Sequence, residues 1–270
     1  MNNKKILVPV DFTRLSDKVI EHAATIGIRA GSDLVLLHCA DRSADLDTLK
    51  IKLAEKAVKA SRKFNITCDS KVRTGNIFTA IPEEADDSSY YLTIIGTHGV
   101  KGLRQKLLGA DILRLVTKIP GPTLVVQSSS DIAAAYEKII LPVATHQSYE
   151  NILKSVIILA KIFHSEVQVY SIERPGFVAP EQLKKNLQRT VEIFDSEGIK
   201  HQRINEKQTV LSVGFATQTL QFAVKSGAQM LAVMSVPSEE YHYFAQQDKE
   251  NLLTNREGIP VLCASNQGNE

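Results

Sequence analysis

Continuous apolar runs alternate with amphipathic stretches along the chain. Lys5-Ile6-Leu7-Val8-Pro9-Val10 is β-branched and apolar, the pattern of a strand buried on both faces of a parallel sheet. It ends at Asp11, and Thr13 or Ser16 can cap a following helix. Val19, Ile20, Ala23, Ala24, Ile26, Gly27 and Ala30 then recur at helical spacing until Gly31, a residue type that closes helices. Leu34 to Cys39 predicts a second buried strand. From Asp45 the pattern is helical, with Leu49, Leu53 and Ala57 four apart and lysines on the remaining face. Ile66 to Val72 predicts a third, more polar strand, and Thr74-Gly75-Asn76 is turn chemistry before a helix of about ten residues. Asp86-Asp87-Ser88-Ser89 ends that helix. Tyr91 to Ile95 is the fourth strand, Ile112, Leu113, Leu115 and Val116 mark a helix, and Pro122 to Val126 is the fifth strand. Strands alternating with helices in this way demand right-handed crossovers and a parallel, doubly wound sheet.

The same grammar returns in the second half. One constant offset lays Ile6-Leu7-Val8-Pro9-Val10-Asp11 on Ile139-Ile140-Leu141-Pro142-Val143-Ala144, and a slightly larger one lays Pro122-Thr123-Leu124-Val125 on Pro260-Val261-Leu262-Cys263. Strands are predicted over 137–143, 166–172, 200–205 and 229–234. Helices are predicted over 149–163 and 213–226, with a third presenting Leu183, Leu187, Val191 and Phe194 on one face. Self-similarity at this period means two similar units in tandem. The α/β fold expected is therefore two doubly wound, five-stranded parallel-sheet domains, 1–130 and 135–270, joined by the small polar linker from Ser128 to Ala134. The two fifth strands, Thr123 to Val126 and Val261 to Ala264, are expected to pair as an internal pseudo-dimer that covers both edges.

Composition narrows the function. The chain has 270 residues, 32 basic against 30 acidic side chains and a formal charge of +2, which gives no reason to expect nucleic acid or an anionic membrane as partner. No apolar run approaches the roughly 20 residues that span a bilayer, and the N-terminus lacks a signal-peptide core. A cytoplasmic protein is expected. Cys39, Cys68 and Cys263 fit neither a disulfide framework nor a metal site and read as apolar filler. His22, His146, His164, His201 and His242 show no metal-like spacing and read as surface residues. Ser16 and Ser212 sit in no nucleophile motif. The expectation is a non-enzyme with no metal centre.

The stretch most suited to chemistry runs from Gly96 to Gly109, where the fourth strand hands over to a helix. Glycines let the backbone approach an anion, and the free N–H groups and dipole of the next helix favour negative charge. It is neither a Walker motif nor a Rossmann fingerprint. Lys101, Arg104 and Lys106 fall inside it, as does His98, which reads as an exposed polar side chain. The equivalent stretch of the second half is Ser235-Val236-Pro237-Ser238 followed by Glu239-Glu240-Tyr241-His242-Tyr243-Phe244, and Asp11 is matched there by Ala144. The second copy is expected to have lost the site.

The spacing of Gly96, Gly99 and Gly109, Gly-x2-Gly-x9-Gly, resembles the nucleotide motif of the universal stress protein family. The Val-Pro-Val-Asp segment ending at Asp11 and the Leu-Leu-His of strand two strengthen the resemblance, which extends over about residues 3–127 and 136–264. It implies an adenine nucleotide alpha hydrolase-like fold with strand order 3-2-1-4-5 and ATP bound where the winding reverses. Residue by residue, it implies Pro9, Asp11 and Cys39 on the adenine side and Ile95, Gly96 and Gly99 at the ribose and first phosphates. The amides at Gly109, Ala110 and Asp111 would take the distal phosphates. The family's Ser/Thr after the last glycine is Ala110 here, and Asp111 puts a carboxylate beside the expected phosphates, where magnesium would make it useful. A stress-response or regulatory nucleotide binder with an unknown protein partner is the first reading. An interaction or scaffold protein of the same fold that binds no nucleotide is the second.

Overall fold

The predicted alternation closes into one sheet. A computed structural model describes residues 4–97, 109–131, 135–173, 176, 178–207, 214–236 and 246–265. The first half contributes β1 (Lys5–Pro9), α1 (Arg14–Ala30), β2 (Leu34–Ala40), α2 (Leu46–Phe64), β3 (Cys68–Thr74), α3 (Ile77–Ala85), β4 (Tyr90–Gly96), α4 (Gly109–Lys118) and β5 (Thr123–Val126). The second contributes β6 (Lys138–Pro142), α5 (Glu150–Phe163), β7 (Glu166–Glu173), α6 (Glu181–Ser196), β8 (His201–Lys207), α7 (Phe215–Ser226), β9 (Met230–Met234), α8 (Gln246–Leu253) and β10 (Val261–Ala264).

The strand order is β3-β2-β1-β4-β5-β10-β9-β6-β7-β8. Each half therefore has the 3-2-1-4-5 order, and neighbours within a half are parallel. Among the described residues the one antiparallel junction is β5 with β10, where Leu124 faces Leu262, Val125 faces Val261 and Thr123 faces Cys263. Leu124 and Leu262 are counterparts in the repeat, so a local two-fold passes between them. Helices obey it too: α1 meets its counterpart α5, and α4 meets α8. Such self-matching contacts characterise isologous dimers, here within one chain. The buried side chains of both halves form a single continuous cluster.

Local chemistry explains the element ends. Gly31 closes α1 in the left-handed region. Asp45 opens α2 by accepting hydrogen bonds from the amides of Asp47 and Thr48. The polar strands β3 and β8 take the outer edges, where alternate side chains are solvated and charge discourages further pairing. The α6 face differs from the predicted stripe. Asn186 and Thr190 are buried with Leu183, Leu187 and Phe194, while Val191 is only partly so. Asn186 Nδ2 donates to the carbonyls of Ala144 (2.6 Å) and His146 (2.9 Å), and this anchoring of the loop after β6 is what the buried polar position serves. Helix α8, polar in sequence, has no counterpart among the predicted elements.

Candidate functional site

Strands β1 and β4 are neighbours, and the winding of the first half reverses between them. Pro9 ends β1 and Asp11 follows it, while Ile95 and Gly96 end β4 and Cys39 lies near the end of the adjacent β2. Five of the sequence-derived residues thus converge from three adjacent strands. Gly109, Ala110 and Asp111 form the first turn of α4, with Asp111 as its acidic residue. Gly99 lies outside the described residues, as do His98, Lys101, Arg104, Lys106 and the 239–244 segment.

Asp11 is buried and committed. Its Oδ1 accepts from the amide of Thr13 (3.0 Å), the hydroxyl of Thr13 (2.6 Å) and the hydroxyl of Ser16 (2.5 Å), and the Asp11 amide donates to Ser16 Oγ (2.9 Å). The carboxylate shapes the entry to α1, whose N-cap is Thr13. Phe12, beside it, adopts φ 62°, an unusual conformation for a bulky residue. Its ring lies against His38 at 4.6 Å, and the Lys52 ammonium sits 4.3 Å above its centre. His38 Nδ1 in turn donates to the carbonyl of Val10 (2.8 Å). Phe12 and Lys52 were not identified from sequence. Positive φ at a non-glycine residue carries no compositional signal, and Lys52 is one of many lysines on α2.

The glycines have packing roles that the motif alone did not reveal. A Cβ on Gly96 would fall 2.8 Å from Leu15 Cδ2 and 3.0 Å from Val19 Cγ2, so α1 approaches β4 only because that side chain is absent. A Cβ on Gly109 would lie 3.0 Å from Glu250 Cβ, placing the start of α4 against α8 of the second half. Neither glycine has a positive φ among the described residues. Both therefore serve close contact between elements, whatever else they serve. The Cys39 thiol is pushed up to about 12 by burial, with opposing contributions from Arg73 and Glu84, and stays protonated as a soft wall.

Two expectations for histidines are corrected. His22 and His146 are buried, at 1% and 5% exposure, rather than at the surface. His22 Nδ1 pairs with the hydroxyl of Tyr136, tying α1 to the chain entering the second half. Its pKa falls to about 4 through burial and nearby Lys18. His146 follows β6 and donates from Nε2 to the carbonyl of Val236 (2.9 Å); burial and then Lys249 lower it to about 4. His164 is exposed and His201 partly so. His146 stands in a polar stretch, whereas His22 lies among Val19, Ile20, Ala23 and Ala24 on the apolar stripe of α1, a placement that signals burial.

The universal stress protein family model matches residues 2–127. A universal stress protein of Methanocaldococcus jannaschii is 26% identical over 153 residues, covering 46% of this chain and 94% of that protein. A solved universal stress protein from Archaeoglobus fulgidus superposes with a TM-score of 0.71 at 13% identity, covering 97% of this chain and 96% of the other. Another from Pseudomonas aeruginosa gives 0.61 at 17% identity, covering 98% and 94%. At those identities the two structures speak for the fold alone, and they do so over both halves. Among the described residues no helix is long and apolar enough to cross a membrane. Residues 2–127 form a universal stress protein family domain, and the second half repeats its fold.

Proposed function

We propose that the first half, residues 1–130, binds ATP and that the second half, residues 135–270, has no nucleotide site of that kind. The observation that carries this reading is the convergence of Pro9, Asp11, Ile95 and Gly96 at the β1–β4 reversal, with the N-terminus of α4 following in sequence. Open α/β sheets take ligands at such a point. Asp11 and the Cys39 wall face the base and ribose side, and the amides of Gly109, Ala110 and Asp111 meet the phosphates.

The residues fit the nucleoside end directly and the phosphate end conditionally. Asp111 carries a carboxylate in the first turn of α4, and Glu250 packs on Gly109; two acidic side chains near a polyphosphate repel it unless a cation intervenes. Magnesium bound with the ATP would offset that charge, and Asp111 would be the residue to hold it. The role is binding rather than catalysis: occupancy changes the surface offered to a protein partner in the cytoplasm. The packing of Glu250 against Gly109 favours a second reading, in which α8 occupies that region and the protein acts as a scaffold without nucleotide.

Calorimetric titration with Mg-ATP separates them. Submillimolar affinity that weakens at least tenfold in Ala110→Glu supports the first reading, because Ala110 is exposed and the change adds charge without disturbing packing. Gly109→Glu is unsuitable for this purpose, since its Cβ would press on Glu250. No heat of binding in the wild-type chain supports the scaffold.

A further inference from the structure

The reversal point of the second half, between β6 and β9, is not a blank copy of the first. By the repeat, Asp11, Thr13 and Ser16 correspond to Ala144, His146 and Tyr149. The carboxylate with its two hydroxyl donors is replaced by a methyl group, an imidazole and a phenol. A small cavity persists there, lined among others by Pro142, Ala144, His146, Tyr149, Met234 and Lys249, with about 10 Å³ open to the centre of a water-sized particle. That is room for one water or one monatomic ion.

Lys249 enters this cavity from α8, and it is 1% exposed. Among the described residues no carboxylate lies within ion-pair distance of its ammonium. Among the described residues the polar atom within hydrogen-bond range of it is His146 Nε2 at 3.5 Å, and that nitrogen already donates to Val236, so it offers the ammonium no lone pair. His146 Nδ1 is buried without a hydrogen-bond partner among the described residues, and the buried Tyr149 hydroxyl lies beside the Thr190 side chain. An amine without a counter-charge and an unpaired imidazole nitrogen thus border one cavity. Buried polar groups in native proteins are seldom left so. An ammonium in this position is costly without a counter-charge, and burial accordingly pulls the Lys249 amine down to about 7.

We propose that the second half's cavity is a site for a small monovalent anion of halide size, held by the Lys249 ammonium. The two copies of the fold then carry opposite charge at equivalent points. The first holds a carboxylate engaged by Thr13 and Ser16, and the second an ammonium without a counter-charge. The site is too small for a nucleotide, so the inference stands whether or not the first half binds ATP.

Thermal unfolding of the full chain in sodium bromide and in sodium gluconate at equal ionic strength tests it, because gluconate is too large to enter. The wild-type midpoint is expected to rise saturably with bromide relative to gluconate, and Lys249→Met is expected to abolish that difference. Equal midpoints for the wild type in the two salts would overturn the proposal, as would a bromide response retained in Lys249→Met. Should that variant not fold, a bromide-soaked crystal of the wild type decides the matter by anomalous scattering. A peak at the Lys249 ammonium supports the site, and a water there in its place overturns it.

Discussion

At the scale of single residues, the buried histidines set how stability depends on pH. His22 and His146 both have folded pKa values near 4 against an ordinary 6.5. Between those values the unfolded chain binds more protons than the folded one, so stability is complete above pH 6.5 and falls as pH drops toward 4. Each histidine contributes a loss of at most about 3 kcal/mol across that window. Urea midpoints measured from pH 7 to pH 4 should decline accordingly, with a shallower decline in His22→Gln; a flat profile would mean that neither imidazole is buried neutral. Lys249 behaves in the same sense at higher pH. Its folded value near 7 lies below the ordinary 10.5, so its burial costs stability that returns as pH rises from 7 toward 10.5. The residue scale is also where sequence was least informative. Asp11 was legible from its place after a buried strand, but its threefold engagement by Thr13 and Ser16 depends on a turn geometry that composition does not encode. His146 looks polar in sequence because its partner, Val236, is remote along the chain, whereas the place of His22 on the apolar stripe of α1 signals burial without naming its partner, Tyr136.

At the scale of elements, strands were legible wherever both faces are buried. Leu34–Ala40 and Tyr90–Gly96 are nearly continuous apolar runs and appear at the predicted places to within one residue. The edge strand Cys68–Thr74 begins two residues later than expected because its exposed face blurs the pattern. Helix α8 escaped notice because its stripe is carried by Lys249, Leu252 and Leu253 in an otherwise polar segment, and a buried lysine does not count as apolar. The glycines of the motif make the opposite point: their spacing was plain, while their contact with α1 and α8 was not. Gly96→Ala should therefore destabilise the fold by about 1–3 kcal/mol through overpacking against Leu15 and Val19. For a chain of this size that is a fall in melting temperature of roughly 2–4 °C per kcal/mol. An unchanged melting temperature would show that α1 yields freely.

At the scale of the whole molecule, the repeat becomes a pseudo-dimer in which the antiparallel β5–β10 junction converts two parallel half-sheets into one of ten strands. This was legible because the fifth strands are apolar, recur in both halves and would otherwise leave edges exposed. Cysteines placed at Leu124 and Leu262 stand directly opposite in antiparallel register, within the usual span of a disulfide. Oxidation should join them within one chain, seen as faster migration on a non-reducing gel, whereas failure to cross-link in a folded protein would contradict the junction. The division of labour between the halves is the larger claim: one reversal point keeps a carboxylate and a glycine-led helix start, while the other is filled by Lys249 and His146. Native mass spectrometry of freshly purified protein with added Mg-ATP tests that division most directly. The account predicts one adenine nucleotide per chain, lost in Ala110→Glu and retained in Lys249→Met. Two nucleotides per chain, or none, would contradict it.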